Sequence, residues 1–216
     1  MVKMENINPD VLFSLAKSVK FNLELDQVCV KQAMKHGLNL PGALMINILP
    51  RNLYNFDVLQ ELVKASRDII FEVSEAEAIN NFDLMIKIRA DVKRMNMRIA
   101  ADDFGVGYAG FDRVIQLEPD IIKLDRSLVS NIHVERSKKG FVQGLIDAAK
   151  KLDAKILAEG VENIAELEVL RSMGVEYVQG FLLHRPESAP HILSQLNIEY
   201  KNKEEESGLK KLEGAA

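Results

Sequence analysis

Residues 98–105 read Arg-Ile-Ala-Ala-Asp-Asp-Phe-Gly, a short apolar run that ends in two carboxylates and a glycine. Short apolar runs of this kind recur along the chain at Ala43–Ile48, Ile69–Val73, Arg98–Ala101, Ile121–Leu124, Lys155–Ala158 and Tyr177–Val178. Between them, apolar residues are spaced as on one face of a helix, as at Phe141, Leu145 and Ala148. Short buried strands that alternate with helices predict an α/β fold with a parallel sheet covered by helices.

A polar or charged side chain closes each predicted strand. These residues are Asn47, Glu72, the pair Asp102 and Asp103, Lys123, Glu159 and Gln179. The carboxyl ends of parallel strands meet at one rim, where functional sites are built. Carboxylates buried together are costly unless a positive charge compensates them, and a divalent metal is the simplest such charge. Because the donors are hard oxygens, we expect Mg²⁺ or Mn²⁺.

The pair Asp102-Asp103 indicates more than one metal. Adjacent carboxylates at a strand end can share two ions, an arrangement that activates water for phosphoryl transfer. The glycines of Gly105-Val106-Gly107 permit a tight loop after the pair. Two other interpretations are an N-cap role for Asp102 and a purely structural ion network. A protein kinase, which also places Asp-Phe-Gly on a metal, is excluded because its other motifs are absent from the sequence.

Composition sets the broad class. The chain has 216 residues and a net charge of −4, which gives no basis for binding bulk nucleic acid. The one cysteine, Cys29, allows no intrachain disulfide. No segment approaches the ~20 apolar residues of a membrane span, so we expect a cytoplasmic protein. None of the histidines ends a predicted strand, and we expect no metal ligand among His36, His133, His184 and His191.

Two helices, at about 9–18 and 22–36, are predicted before the first strand. We expect one domain over residues 1–192. Residues 193–216 are predicted to form a charged tail or linker, since the stretch from Lys201 is rich in charged and small residues.

Five segments together resemble the motifs of EAL-domain cyclic-di-GMP phosphodiesterases, in the same order. They are Glu72-Val73-Ser74-Glu75, Asp102-Asp103-Phe104-Gly105-Val106-Gly107-Tyr108, Lys123-Leu124-Asp125-Arg126-Ser127, Ala158-Glu159-Gly160-Val161-Glu162 and Tyr177-Val178-Gln179-Gly180-Phe181. The resemblance covers about residues 8–188. It implies a TIM-like (β/α) barrel that hydrolyses cyclic di-GMP to linear pGpG, pairs as a homodimer near the Asp102–Tyr108 loop, and is regulated by a sensor domain outside this chain.

The resemblance also implies metal ligands. Asn47, Glu72 and Asp102 would bind the first Mg²⁺ or Mn²⁺. Asp102 would bridge to a second metal, which Asp103 and Glu159 would also hold. Ca²⁺ would bind at this site but inhibit.

Further roles follow from the same resemblance. Lys123, Glu159 and Gln179 would be catalytic, with Lys123 contacting the nucleophilic water and Gln179 beside it. Three carboxylates would support the loops: Glu75 would hold the Asp-Phe-Gly loop, with Asp125 and Glu162 in supporting positions. Contacts to substrate are expected from Asp102, Phe104, Gly105 and Gln179.

The chain departs from the family pattern at its beginning. A complete family member has two more strands before residue 8, and the second of them carries the Glu-Ala-Leu motif, whose glutamate binds the first metal. Glu24-Leu25-Asp26 is not a substitute, because it lies in a predicted helix. We therefore carry two hypotheses, an active phosphodiesterase and an impaired module that binds nucleotide or a partner without turnover. The open strand edges also predict self-association or low stability.

Overall fold

The structure is a computed structural model that describes residues 8–54, 68–74, 82–104 and 117–196. Within these residues six strands form one sheet in the order β1 to β6, and every neighbouring pair is parallel. The strands are β1 (Leu44–Asn47), β2 (Ile69–Ser74), β3 (Arg98–Phe104), β4 (Ile121–Leu124), β5 (Lys155–Ala158) and β6 (Tyr177–Val178). The helices are α1 (Pro9–Ser18), α2 (Asn22–Gly37), α3 (Phe82–Arg94), α4 (Arg126–Val129), α5 (Arg136–Lys151), α6 (Ile164–Met173) and α7 (Ala189–Gln195), and a 3₁₀ turn covers Pro50–Tyr54. The α/β class with a parallel sheet is confirmed.

Strand β3 is longer than predicted. It continues through Asp102 and Asp103 to Phe104, whereas the prediction ended it at Ala101. The pairing of β3 with β4 shifts register between Ala101 and Phe104, as at a β-bulge. A bulge redirects side chains within a strand, so the polar pair can lie inside the strand and still belong to the rim.

The two faces of the sheet bury different layers. Helices cover one face, and the larger core lies between them and strand residues such as Ile46, Phe71 and Ile156. A smaller cluster on the other face comes from the strands alone: Met45, Ile70, Ala100, Ile121 and Leu157. Side chains alternate between faces along a strand, so the residue two positions after each of these returns to the same helix-free face.

Helix α6 is capped at both ends. The Asn163 side chain caps the start by accepting from the backbone N–H of Glu166 at 2.9 Å. Gly174 ends the helix in the left-handed conformation, with φ of 85°. The loop that carries Glu159 joins β5 to this helix.

Helix α7 lies across residue 192, where the sequence predicts the end of the domain. The boundary falls inside this helix, which packs against α2. The side chain of Leu193 is only 1% exposed and belongs to the protein's interior. Leu193 therefore packs into the folded part, and the domain boundary near residue 192 stays a prediction.

Truncating Leu193 to alanine is expected to destabilise the chain by about 2–5 kcal/mol, because it leaves a cavity at a fully buried position. The matched control is Leu196→Ala, since that side chain is 49% exposed. It should change stability by less than about 0.5 kcal/mol. Urea unfolding of both variants measures the difference, and equal midpoints would show that α7 is not part of the folded unit.

Candidate active site at the carboxyl ends of the strands

The helix-free face of the sheet changes from apolar to polar and charged side chains toward the carboxyl ends of the strands. Each apolar residue of the smaller cluster is followed two positions later by a polar side chain or a charge, as Ile70 is followed by Glu72 and Ile121 by Lys123. Alternation along the strands therefore places Asn47, Glu72, Lys123 and Glu159 at one end of one face. Asp102 lies in the register shift of β3, and its contact with Lys123 places it in the same group. The predicted convergence on a single rim follows from this register.

Lys123 is the centre of the group. Its ammonium Nζ lies 2.7 Å from Asp102 Oδ1, 2.9 Å from Glu159 Oε1 and 3.1 Å from Glu72 Oε2. The lysine side chain is 5% exposed, and those of Glu72, Asp102 and Glu159 are 10%, 14% and 22% exposed. Exposure thus rises from the lysine outward to Glu159, which leaves the site open toward solvent on that side.

The pKa values of Glu72 and Lys123 are both raised, but for different reasons. Burial raises the pKa of the Glu72 carboxyl, and the charges of Asp102 and Glu159 add to the rise, although Lys123 opposes it. Burial alone would lower the pKa of Lys123, but the combined attraction of the three carboxylates outweighs it and the pKa is raised. In this arrangement Lys123 is charged at neutral pH and donates to the carboxylates around it.

Asn47 and Gln179 flank the group on either side. Asn47 is the register partner of Glu72 on the neighbouring strand, and its side chain is exposed. The backbone of Gln179 is fixed by two hydrogen bonds, from its N–H to the carbonyl of Ala158 at 2.8 Å and from the N–H of Val161 to its carbonyl at 3.0 Å. Gln179 also lines a concave pocket of about 420 Å³ on the helix-free face.

Two of the residues predicted to support the loops, Asp125 and Glu162, lie in the segments that follow β4 and β5. Asp125 caps α4 by accepting from the N–H of Ser127 at 2.8 Å. Glu162 forms an ion pair with Arg126 at 2.8 Å, which joins the loop after β5 to the start of α4. Glu75, Gly105 and the side chains of Asp103 and Phe104 lie outside the described residues. Their predicted roles, like those of the other site residues, stay predictions.

Two glycines set the path of the loop after β5. Gly160 adopts φ of 68°, a conformation that favours glycine, and packs against the side chain of Arg126. Gly180 lies so close to the backbone of Val161 that a Cβ there would overlap the Val161 carbonyl oxygen and nitrogen. The loops after β5 and β6 are thus in direct backbone contact beside Glu159.

Two buried carboxylates near the site were missed in the sequence. Asp26 on α2 is 5% exposed and accepts from the N–H of Leu49 at 3.1 Å and from the Asn52 amide at 2.6 Å, which ties α2 to the loop after Asn47. Glu166 on α6 is 3% exposed and accepts from two backbone N–H groups. The spacing Asn163-x-x-Glu166 matches a capping box, and this signal could have drawn attention to Glu166.

The fit of these residues to a divalent metal rests on their chemistry. Among the residues that the structure describes, no three His, Cys, Asp or Glu side chains are arranged to hold one ion by themselves. The ammonium of Lys123 lies among the three carboxylates instead. Three carboxylates facing one ammonium leave an excess of negative charge within this group, and all the donors are the hard oxygens that Mg²⁺ and Mn²⁺ prefer. The donor set therefore fits a divalent ion that shares these carboxylates with Lys123.

The fold and the site define the class as an α/β protein of the TIM-like barrel type with an acidic site at the carboxyl ends of its strands. The chain belongs to the EAL domain family, whose family model matches residues 3–186. In the part of the chain that the structure describes, no helix is long and apolar enough to cross a membrane.

Individual relatives agree with this assignment. The probable cyclic di-GMP phosphodiesterase PdeA of Escherichia coli K12 is 28% identical over 178 residues, which cover 79% of this chain and 24% of that protein. The blue light- and temperature-regulated antirepressor BluF of the same organism is 30% identical over 171 residues, covering 75% of this chain and 42% of that protein. A solved complex of Klebsiella pneumoniae BlrP1 with calcium and cy-diGMP matches with a TM-score of 0.74 at 31% identity, covering 84% of this chain and 49% of that one. The chain thus spans less than half the length of each of these proteins.

Proposed function

We propose that this chain is a cyclic-di-GMP phosphodiesterase domain that hydrolyses one phosphodiester bond of the substrate to give linear pGpG. The observation that carries the proposal is the placement of Lys123 within 3.1 Å of three carboxylates at the strand ends. The names of the relatives support the substrate, since one is a probable cyclic di-GMP phosphodiesterase and another was solved with cy-diGMP. Membership of the EAL domain family supports the reaction.

In the proposed reaction, the oxygen of a water forms a new bond to phosphorus and the bond from phosphorus to the 3′ oxygen breaks. The attacking water loses a proton and the leaving 3′ oxygen gains one, which balances the step. Two Mg²⁺ or Mn²⁺ ions, when bound, would lower the pKa of that water and stabilise the charge on the phosphoryl group. We assign them to Asn47, Glu72, Asp102, Asp103 and Glu159, with Ca²⁺ as an inhibitory substitute.

The protein's own residues supply position and charge. The ammonium of Lys123, held among the strand-end carboxylates, would donate hydrogen bonds and orient the nucleophilic water. Of the three carboxylates that contact Lys123, Glu159 is the most exposed. It is therefore the carboxylate best placed to accept a proton at the mouth of the site. The backbone N–H of Gln179 donates a hydrogen bond to the carbonyl of Ala158, the residue before Glu159. Gln179 thus lies beside Glu159 and would contact substrate.

A second candidate is a regulatory module that binds cyclic di-GMP or a protein partner without turnover. Similarity to BluF, whose name describes an antirepressor, favours it, and so does the absence of a ready-made metal cage among the described residues. A homodimer through the face near the Asp102–Tyr108 loop and a sensor domain elsewhere in the natural protein fit either function.

Calorimetry and a turnover assay on the full chain separate the two. We expect cyclic di-GMP to bind more tightly with Mn²⁺ or Ca²⁺ than with a chelator, and pGpG to form with Mn²⁺. Glu159→Gln should lower turnover by about 100-fold or more, since it removes a charged group at the reacting centre. Exposed Glu168→Gln on α6 is the control and should leave turnover unchanged. Binding without pGpG would favour the module, and equal binding in chelator would contradict the metal-dependent phosphodiesterase.

A further inference from the structure

The Glu166 side chain is an unusual feature of α6, because it is a carboxylate buried to 3% exposure that none of the proposed chemistry uses. Its Oε1 accepts from the N–H of Asn131 at 2.9 Å and its Oε2 accepts from the N–H of Glu162 at 3.0 Å. These backbone hydrogen bonds lower the pKa of Glu166 despite its burial, so the group is charged at neutral pH. A charged acceptor that satisfies two backbone donors holds both of them firmly.

The two donors belong to different loops of the rim. Glu162 follows β5 and lies three residues after Glu159. Asn131 follows α4, the short helix that begins directly after β4, the strand of Lys123, and it adopts φ of 59°. Glu166 therefore links the segment behind Lys123 to the segment behind Glu159, the two groups whose side chains are 2.9 Å apart.

At their start these segments are joined by a backbone hydrogen bond from the N–H of Glu159 to the carbonyl of Leu124 at 3.1 Å. Further along, the other side-chain contacts between them are weaker or less direct. The ion pair of Arg126 with Glu162 is 60% and 41% exposed, and exposed pairs of this kind contribute little. Gly160 contacts the Arg126 side chain only by packing. Within the described residues, Glu166 is thus the buried charged contact that joins the loop after β5 to the loop after α4.

We propose that Glu166 is a positioning residue that holds Glu159 at the distance from Lys123 that the site requires. This inference rests on the proposed function for the identity of Glu159 as a metal ligand. A side chain behind the ligands can set their orientation, and its loss typically costs about 10- to 100-fold in metal affinity or activity. A role in stability alone would lower the melting temperature without changing the metal affinity of the folded chain.

The test compares Glu166→Ala, Glu166→Gln and the exposed control Glu168→Ala in the full chain. Free Mn²⁺ is titrated by electron paramagnetic resonance, and circular dichroism establishes that each variant is folded at the temperature used. We expect Glu166→Ala to weaken Mn²⁺ binding by about tenfold or more. Glu166→Gln should lose less, because its one carbonyl oxygen can still accept from one of the two N–H groups. Glu168→Ala should match the unaltered chain.

Unchanged Mn²⁺ affinity in folded Glu166→Gln and Glu166→Ala would overturn the inference, and so would an equal loss in Glu168→Ala. If Glu166→Ala does not fold, Glu166→Gln decides the question by the same titration. Turnover of cyclic di-GMP is measured separately. An unaltered chain that binds Mn²⁺ but forms no pGpG would end the proposed function, while the affinities of the variants would still decide the role of Glu166. Failure of the unaltered chain to bind Mn²⁺ would overturn both.

Discussion

Replacing Lys123 by methionine is expected to lower the free energy of unfolding by about 3–5 kcal/mol when divalent metal is absent. The substitution keeps the volume of the side chain but removes the cation that Glu72, Asp102 and Glu159 share at 2.7–3.1 Å. Buried Glu72 and the partly buried Asp102 and Glu159 would then face each other with no cation between them. Urea unfolding in a chelator measures the effect.

Mn²⁺ provides the second half of this test. A metal that binds the folded state alone raises its stability, and the carboxylates freed from Lys123 should bind it more readily. We therefore expect Mn²⁺ to raise the melting temperature of Lys123→Met more than that of the unaltered chain, while hydrolysis stays lost. The exposed Lys151→Met is the control and should change neither quantity. A stable Lys123→Met in chelator would show that the lysine does not neutralise the cluster.

Replacing Gly180 by alanine is expected to destabilise the chain by about 3 kcal/mol or more and to abolish turnover. A Cβ at this position would overlap the carbonyl oxygen and nitrogen of Val161, and both atoms are backbone that cannot rotate away. Overpacking of this kind typically costs about 1–3 kcal/mol when side chains can adjust, and more when they cannot. The loop after β5 would move, and Glu159 would move with it.

Gly144→Ala is the matched control, because a Cβ there meets nothing within 4 Å and the residue lies inside α5. It should stabilise the chain by about 0.5–1 kcal/mol, since alanine favours the helix more than glycine does. Thermal unfolding and turnover of the two variants measure the contrast. Wild-type stability in Gly180→Ala would mean that the loops after β5 and β6 are not packed as described.

The strands could be predicted from sequence because each is a short apolar run, and the bounds of β4, β5 and β6 agree with the prediction. Polar residues at the strand ends were equally visible, since six successive apolar runs each end in one. The extension of β3 through Asp102 was not predictable, because the register shift after Ala101 depends on pairing with β4 and leaves no pattern in the sequence.

The central place of Lys123 was also beyond the sequence. Periodicity assigns it to the same face as Glu72 and Glu159, but only the packed sheet shows that one ammonium contacts three carboxylates. Glu166 and Asp26 were missed for a different reason. Both are acidic residues on helices, where a carboxylate usually faces solvent, and their burial depends on loops that are distant in sequence.

A crystal of the full chain grown with Mn²⁺ and cyclic di-GMP, measured at the manganese absorption edge, tests the central claim most directly. The claim is that the strand-end carboxylates around Lys123 form a metal-dependent phosphodiesterase site. We expect anomalous density for manganese in contact with Asp102 and Glu159, and a phosphate of the nucleotide beside it. Nucleotide bound elsewhere, or strand ends without manganese at saturating concentration, would contradict the claim.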